Sequence, residues 1–328
     1  MPRAVLCRVL EGPAALHLEE IPPAGPPGPN EVRVRIHAAG LNFPDLLMAA
    51  GRYQFKPPLP FALGREAAGV VDAVGSSVTR CRVGDRVLLT LSYGAFAEEI
   101  VAPEHAVRLM PDPFTFAEAA CFHVATATAT NALLQRGQLM PGETLLVHGA
   151  GGGVGLAAVE VGKLLGATVI AVAGSADKLA IARAKGADHT IDHRRENFRQ
   201  RVHEITNGRG ADVVFDPLGG DTFDASLRCM TFGGRILVVG FAGGRIQQIP
   251  GNQPLLKCIS VVGVQALTHA ERDPAVGEAY ERWMYGHAAQ GRLRPHISHS
   301  VPMARFAEAL DLLASRQAIG RVVLTMRP

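Results

Sequence analysis

A glycine-rich turn between a strand-like and a helical stretch constrains this chain more than any other feature of its sequence. The run Val-His-Gly-Ala-Gly-Gly-Gly-Val-Gly occupies residues 147–155. Its spacing, Gly149-x-x-Gly152-x-x-Gly155, is a variant of the dinucleotide-binding fingerprint. Gly149 allows a tight exit from the strand, Gly152 lets backbone N–H groups approach a pyrophosphate, and Gly155 lets the helix lie against the sheet. The turn therefore predicts a nucleotide cofactor site.

The residues around and after this turn alternate between strand and helix patterns. Strands are predicted at 144–148, 168–173, 190–192, 212–216 and 235–240, and helices at 156–165, 177–185, 197–206 and 222–229. The last segment adds a strand near Val261, helical stretches at 278–290 and 303–315, and a strand at 321–326. Such a βαβ series predicts an α/β fold whose parallel sheet is covered by helices, the doubly wound arrangement.

The first third of the chain has a different sequence pattern, in which short strand-like runs are separated by turns. Alternating or strand-like runs lie at 32–38, 69–74 and 86–91, and the Pro-rich stretch 22–29 reads as a loop. This part predicts an irregular β-barrel. The length of 328 residues accommodates two domains, and the final segment is too short to stand alone, so we expect it to return to the first domain.

Composition excludes several classes of protein. Lys and Arg number 33 against 30 Asp and Glu, and this balance does not give the broad positive field that nucleic acids or anionic membranes require. The N-terminus lacks the apolar core of a signal peptide, and no run approaches the ~18 apolar residues of a membrane span. We therefore expect a cytoplasmic protein. Five cysteines, an odd number without a C-x-x-C pair, predict free thiols.

The tip of the second predicted strand indicates which nicotinamide cofactor is preferred. NAD-binding sheets place a carboxylate there to bond the ribose 2′-hydroxyl, but residues 173–175 are Ala-Gly-Ser. Asp177 follows Ser175, a good helix N-cap, so we expect it in the first turn of the next helix. With Lys178 and His193 or Arg194 nearby in the expected fold, NADPH is favoured over NADH.

Further motifs follow one another in a recognisable order. They are Gly40-Leu41-Asn42-Phe43-Pro44-Asp45, Gly51-Arg52-Tyr53, Leu59-Pro60-Phe61, Gly64-Arg65-Glu66-Ala67-Ala68-Gly69, Val83-Gly84-Asp85-Arg86-Val87 and Gly320-Arg321-Val322-Val323. Together with the glycine turn, they resemble the medium-chain dehydrogenase/reductase superfamily, and within it the zinc-independent quinone oxidoreductases, or zeta-crystallin-like group. The resemblance covers nearly the whole chain. It implies a GroES-like catalytic domain of residues 1–122 and 263–328, with a Rossmann NADPH-binding domain of residues 123–262 inserted.

The resemblance also predicts that no metal is bound. Zinc alcohol dehydrogenases of the superfamily carry a Cys where this chain has residues 42–45, and a His where it has Arg65. Zinc needs thiolate or imidazole donors, whereas a guanidinium is a permanent cation that repels the ion. The four-Cys structural lobe of those enzymes is missing as well. We interpret the His296-x-x-His299 pair as surface or packing residues.

The activity implied by the resemblance is the NADPH-dependent reduction of quinones or similar electron-poor conjugated carbonyls. Asn42 and Tyr53 would lie by the nicotinamide and bond the acceptor oxygen, and Tyr53 could supply a proton. The predicted cofactor-binding residues are Thr128, Gly149, Gly151, Gly152, Gly153, Val154, Gly155, Gly174, Ser175, Lys178, His193, Gly240, Phe241 and Arg321. His193 replaces a tyrosine common in the family, which predicts a pH-dependent NADPH affinity. His123 and Gln265 also depart from the family pattern.

Two other functions remain open on the sequence alone. One is an enoyl-thioester reductase, in which Arg194, Arg195, Arg199 and Arg201 are candidates to hold the phosphates of coenzyme A; a solvated helix face is the simpler interpretation of these arginines. The other is a non-catalytic NADPH- or RNA-binding protein, which the near-neutral charge disfavours. The resemblance further implies a homodimer, with the strand near Val261 as the candidate for edge-to-edge pairing.

Overall fold

The computed structural model describes residues 1–326. Its strands are β1 (Arg3–Cys7), β2 (Leu16–Glu20), β3 (Glu31–Gly40), β4 (Phe61–Ala62), β5 (Glu66–Val74), β6 (Arg86–Thr90), β7 (Glu99–Pro103), β8 (Val107–Leu109), β9 (Thr144–Val147), β10 (Thr168–Ala173), β11 (His189–Asp192), β12 (Ala211–Asp216), β13 (Met230–Val238), β14 (Ser260–Gly263), β15 (Ile297–Pro302) and β16 (Arg321–Thr325). Its α-helices are α1 (Phe43–Ala49), α2 (Phe116–Ala119), α3 (His123–Thr130), α4 (Gly153–Leu164), α5 (Ala176–Ala184), α6 (Phe198–Ile205), α7 (Gly220–Ser226), α8 (Asn252–Lys257), α9 (Ala266–Arg272), α10 (Pro274–Ala289) and α11 (Phe306–Ala314). Short 3₁₀ turns span Pro13–Ala15, Glu104–Ala106 and Met303–Arg305, and a π-helical stretch spans Asn131–Arg136.

The chain folds as two compact units. The first unit combines Met1–Val124 with the segment from Arg294 onward, and the second unit is Ala125–Leu293. The segment 263–293, which the sequence places with the catalytic domain, belongs to the second unit because α10 packs against α9 and the π-helical stretch. The segment from residue 294 onward belongs to the first unit.

The first unit is rich in β-structure. In its described part, a mixed sheet runs in the order β15-β16-β3-β5-β6-β8, with β7 also paired to β3, and a smaller sheet runs β2-β1-β4. The long strand β3 alternates buried valine and isoleucine with more exposed arginine and histidine, the pattern of a strand with one face in the core. The sequence predicts an irregular β-barrel. Among the described residues, the strand pairings of the larger sheet do not close into a ring, so this part of the unit consists of open sheets.

The second unit, all of which the structure describes, contains a parallel sheet in the order β11-β10-β9-β12-β13-β14. A row of buried side chains crosses four successive strands of this sheet without a break. Its members are paired neighbours and are all fully buried: Ile170, Leu146, Val214 and Ile236. The strand order reverses between β9 and β12, and open α/β sheets bind ligands beside the carboxyl ends of their strands at such a point. The predicted parallel sheet with covering helices is thereby confirmed.

Two predicted elements have shifted boundaries. The sequence predicts a helix at 222–229 and a strand at 235–240, whereas α7 begins at Gly220 and β13 begins at Met230. The strand extends through Gly233 and Gly234, which have low strand propensity, because Met230 pairs with Ala211 before an irregularity in the register. Tertiary pairing here overrides local propensity.

Two further expectations concern the whole chain. Across residues 1–326, no helix is both long and apolar enough to cross a membrane. All five cysteines lie within these residues as free thiols; Cys7, Cys121 and Cys229 are buried, Cys81 is half-buried and Cys258 is exposed.

Candidate functional site

The glycine turn of the second unit has the geometry that its spacing predicts. Gly149 has a φ of +60°, a left-handed conformation that favours glycine. A Cβ at Gly155 would lie 2.2 Å from the carbonyl oxygen of Gly149, so only glycine permits this close packing of α4 on the turn. By contrast, Gly152 is exposed, and a Cβ there would meet only the Gly149 oxygen, at 3.5 Å. The space above Gly152 at the start of α4 is therefore open to a ligand.

The residue before the turn is anchored from behind. Ser226 Oγ donates to the carbonyl oxygen of Thr222 at 2.7 Å and lies 2.8 Å from Nε2 of His148. Since the serine hydrogen is already used, His148 donates its Nε2 hydrogen to the serine oxygen. Burial lowers the pKa of His148 to about 3, so the imidazole is neutral. This bond ties the end of β9 to α7 and fixes where the turn begins.

Several predicted cofactor residues meet at the carboxyl end of β10. Ser175 caps α5, with its Oγ accepting from the backbone N–H of Lys178 at 3.4 Å. A Cβ on Gly174 would lie 2.8 Å from Nε2 of His193, so glycine makes room for that ring. A Cβ on Gly151 would lie 2.7 Å from carbons of the Lys178 side chain. The glycine turn and Lys178 are therefore direct neighbours.

Asp177 lies where the sequence predicts it. It occupies the first turn of α5 and is exposed, where a carboxylate interacts favourably with the helix dipole. It is therefore placed as a helix residue and not at the tip of β10. The cluster of Gly174, Ser175, Lys178 and His193 thus presents hydroxyl, ammonium and imidazole groups at this end of the sheet.

The remaining predicted cofactor residues of the second unit lie elsewhere. Gly153 and Val154 are the first residues of α4, and Thr128 is half-buried on α3. Gly240 and Phe241 follow β13; a Cβ on Gly240 would lie 3.3 Å from the carbonyl oxygen of Pro217, and the Phe241 side chain is exposed. Pro217 directly follows β12, so Gly240 lies close to the chain at the switch point of the sheet.

The first unit contains a buried polar cluster around Asn42. The amide nitrogen Nδ2 of Asn42 donates to Glu66 Oε1 at 2.9 Å, and the amide oxygen accepts from Nη1 of Arg321 at 2.9 Å. Arg321 also forms an ion pair with Glu66. All three side chains are buried. Nδ2 of Asn42 also lies 3.5 Å from the carbonyl oxygen of Gly40, so these partners together fix the orientation of the amide.

Arg321 therefore occupies a place that the sequence does not suggest. The sequence predicts that Arg321 binds the cofactor. In the structure, the Arg321 guanidinium donates hydrogen bonds to Asn42 and Glu66 inside the first unit. Glu66 Oε2 accepts in addition from the backbone N–H of Val124 at 3.0 Å. We propose that Arg321 and Glu66 orient the Asn42 side chain.

Asp45 lies beside this cluster and is fully buried. Its Oδ2 accepts from the backbone N–H of Asn42 at 2.7 Å, whereas its Oδ1 has no hydrogen-bond partner among the described residues. Burial raises the pKa of Asp45 to about 7, an effect opposed by the Asn42 N–H and by Arg65. Roles for Asp45 and Glu66 are not predicted from the sequence motifs, although a carboxylate within a run of small and apolar residues is a usable signal.

Tyr53 and Arg65 form a second pair in this unit. Nη1 of Arg65 donates to the Tyr53 hydroxyl at 3.2 Å, and the guanidinium lies 5.6 Å from the centre of the phenol ring. Arg65 is buried and Tyr53 is half-buried. Because the hydroxyl oxygen accepts from a cation, its own hydrogen is available to donate, and negative charge on that oxygen is stabilised.

The described residues also bear on metal binding. Among residues 1–326, no group of three or more His, Cys, Asp and Glu side chains is arranged to hold a metal ion. At the position where the resemblance places a zinc ligand, Arg65 instead puts a positive charge.

Comparison with known proteins gives the family. Residues 28–112 match the alcohol dehydrogenase GroES-like domain, and residues 153–279 match the zinc-binding dehydrogenase domain. The quinone oxidoreductase-like protein 2 homolog of Nematostella vectensis is 39% identical over 99% of this chain and 89% of its own length. Quinone oxidoreductase of Escherichia coli, solved in complex with NADPH, is 29% identical with a TM-score of 0.89, covering 98% of this chain and 99% of its own. The CurK enoyl reductase is 26% identical with a TM-score of 0.89 over 99% of both chains.

The chain thus belongs to the medium-chain dehydrogenase/reductase superfamily, as an oxidoreductase of its quinone oxidoreductase-like group. This confirms the resemblance drawn from the sequence motifs. It also confirms the predicted combination of a parallel Rossmann sheet with a GroES-like, β-rich part.

The buried carboxyl of Asp45 predicts a pH-dependent stability. The folded state holds this proton more tightly than the unfolded chain, whose pKa is about 4. The stabilisation is therefore complete below pH ~4 and is lost as the pH rises through about 7. Between pH 5 and pH 8, we expect the free energy of unfolding of the wild type to fall by ~2–3 kcal/mol relative to Asp45→Asn.

Denaturant unfolding of both proteins at the two pH values measures this difference. Taking the difference between the two proteins cancels the contributions of groups that they share, including the buried His123 and His148. Parallel pH dependences in the two proteins would show that Asp45 is already ionised at pH 5.

Proposed function

We propose that this protein is an NADPH-dependent reductase of quinones or related electron-poor conjugated carbonyls that works without zinc. The observation that carries the proposal is the Arg65–Tyr53 pair, in which a permanent cation holds a phenol oxygen. A hydrogen-bond donor backed by positive charge can polarise a carbonyl oxygen, the task that a metal ion performs in the zinc enzymes. The quinone oxidoreductase-like relative and the Escherichia coli enzyme support this choice of acceptor.

The residues of the second unit fit a phosphorylated dinucleotide. The open space over Gly152 and the N–H groups at the start of α4 suit a pyrophosphate. Ser175, Lys178 and His193 suit a 2′-phosphate, since they offer donors and positive charge where NAD-specific sheets carry a carboxylate. When bound, the reduced nicotinamide supplies the hydride.

The first unit would handle the acceptor. Tyr53 would donate a hydrogen bond to the carbonyl oxygen of the acceptor, and Arg65 would stabilise the negative charge that passes to the phenol oxygen if the proton is transferred. One amide hydrogen of Asn42 has only a long contact, to the carbonyl oxygen of Gly40 at 3.5 Å, and this hydrogen would turn to the acceptor oxygen when the substrate binds. The other contacts of the amide hold its orientation, which limits the ordering cost during the reaction.

The decisive test follows NADPH oxidation with a metal chelator present. An ortho-quinone and crotonyl-CoA are compared under the same conditions, and each is repeated with NADH. We expect fast turnover of the quinone with NADPH, unaffected by the chelator. Preference for crotonyl-CoA would instead establish enoyl-thioester reduction, and loss of activity with chelator would contradict zinc independence.

An enoyl-thioester reductase is the second candidate, favoured by the structural likeness to the CurK enoyl reductase. Two of the four arginines that are candidates to hold coenzyme A are engaged with their own neighbours. Arg201 pairs with Glu196 and Glu204, and Arg195 pairs with Asp192. A non-catalytic or RNA-binding role has weaker support, because the formal charge is only +3.

A homodimer would be formed through β14. This strand is an edge of the parallel sheet within Ala125–Leu293, and exposed edges are ready to pair with another chain. On the neighbouring helix α8, the side chains of Leu255 and Leu256 are 76% and 70% exposed, which is apolar surface that a second copy would cover. The molar mass in solution, measured by light scattering, is expected to be twice that of the chain, and a monomeric mass would refute pairing.

Replacing Gly152 by valine should weaken NADPH binding without unfolding the protein. Gly152 has a φ of −91°, which any residue adopts, and open space at its Cβ. The new side chain would occupy the place of the pyrophosphate, and we expect the Kd to rise about tenfold or more. Fluorescence titration measures the Kd, and circular dichroism checks the fold.

Gly155→Val is the matched comparison. Its Cβ would clash with the Gly149 oxygen, so this variant should lose stability as well as binding. An unchanged NADPH affinity in folded Gly152→Val would remove the glycine turn from the cofactor site.

Lys178→Glu tests which cofactor is preferred. Charge reversal next to a 2′-phosphate should raise the Kd for NADPH about tenfold or more, with a much smaller effect on NADH, which lacks that phosphate. Titrations with both cofactors measure the ratio, with NADH as the internal control. An equal loss for the two would mean that Lys178 does not contact the 2′-phosphate.

Tyr53→Phe tests the donor to the acceptor oxygen. The ring and its contact with Arg65 are retained, whereas the hydroxyl is removed. We expect kcat for the quinone to fall about tenfold or more, with the Kd for NADPH unchanged. Steady-state kinetics measure kcat, and turnover equal to the wild type would end the proposed role.

A further inference from the structure

We propose that the second unit carries an anion-binding pocket for a phosphoryl group, separate from the glycine turn. The pocket has a volume of about 260 Å³, which suits a compact group better than a whole drug-sized ligand. It is lined by Arg136, Gly263, Gln265, Thr268, His269 and Arg272.

One face of α9 supplies most of this lining. Gln265 directly precedes the helix, and Thr268, His269 and Arg272 follow at spacings of three, four and seven residues, which places them on one helix face. Arg136 enters from the end of the π-helical stretch. Its Nε donates to the carbonyl oxygen of Gly263 at 3.1 Å, which holds the guanidinium beside the end of β14.

The two arginines of the pocket are exposed and have no carboxylate partner. None of the lining residues is acidic, and neither Arg136 nor Arg272 forms an ion pair within the described chain. Other arginines of the same unit do have carboxylate partners: Arg235 pairs with Glu143 at 2.7 Å, and Arg245 pairs with Asp221 at 2.7 Å. Two guanidinium groups without a counter-ion favour an anionic ligand, and guanidinium groups suit phosphate oxygens in particular.

His269 adds a third donor with a defined role. Nδ2 of Asn131, a fully buried residue, lies 2.9 Å from Nδ1 of His269. Because an amide nitrogen is only a donor, Nδ1 accepts, and the hydrogen of the neutral ring is on Nε2. The imidazole that lines the pocket is therefore held in place from the protein interior and keeps an N–H to donate.

The pocket is distinct from the predicted 2′-phosphate site. It lies at the carboxyl end of β14, four strand spacings from β10. Ser175 and Lys178 lie just beyond the carboxyl end of β10. At the usual distance between strands, four spacings are about 19 Å. The phosphoryl group could be that of a coenzyme A thioester or of a smaller phosphate ester, and both sources present the same chemistry to these residues.

Binding of inorganic phosphate to the whole protein, followed by isothermal titration calorimetry in an oxyanion-free buffer, tests the proposal. We expect saturable binding that Arg272→Gln weakens about tenfold or more. Arg282→Gln removes the same charge from an exposed position on α10 and should change the Kd less than about twofold. Arg136→Gln gives an independent second variant at the pocket.

Three results would overturn the proposed pocket. The first is that phosphate does not bind, and the second is that Arg272→Gln and Arg282→Gln weaken phosphate binding equally. The third is that Lys178→Glu abolishes phosphate binding while Arg272→Gln leaves it intact. The last result would place the phosphate at the nucleotide site. Coenzyme A added as a competitor then distinguishes the two sources. Displacement of phosphate by coenzyme A supports the pocket as a coenzyme site, and phosphate binding that coenzyme A does not disturb supports it as a site for smaller esters.

Discussion

The buried ion pair between Glu66 and Arg321 is the interaction on which the first unit depends. These residues are on β5 and β16, the two strands that flank β3, and Asn42 is the second residue after the end of β3. The pair therefore joins the beginning of the chain to its last described strand. Removing one partner of such a pair leaves an uncompensated buried charge, which is strongly destabilising. The same contacts fix the Asn42 amide, so the packing of the unit and the geometry of its proposed site have one origin.

The charges around this pair support the proposal that the protein works without zinc. Arg65 and Arg321 are cations, whereas Glu66 and Asp45 are the acidic groups beside them. Because burial favours the neutral form of Asp45, the cluster tends toward a net positive charge. A positive environment suits a reaction in which negative charge develops on an acceptor oxygen. It is unsuited to a divalent cation.

Much of the second unit could be predicted because its signals are local. The turn at 149–155 and the alternation of strands and helices depend on residues close in sequence, and the parallel sheet follows from them. The same is true of Asp177, whose place in the first turn of α5 follows from the cap at Ser175. Predictions were less successful where pairing overrides propensity, as at Gly233 and Gly234 in β13. The packing of α10 against α9 and the π-helical stretch likewise depends on tertiary contacts that local sequence signals do not show.

The sequence by itself determined the phosphate-binding type of turn, the absence of a carboxylate at the tip of β10 and the replacement of a zinc ligand by Arg65, since each is a matter of residue type at a defined spacing. Only the tertiary structure decided which charges are paired. Arg321 and Asn42 are 279 residues apart in the chain, yet they are in hydrogen-bond contact. Arg136 and Arg272 meet at one pocket without a carboxylate. The physical reason is that ion pairing and burial depend on distances in space, which are set only when distant strands and helices pack together.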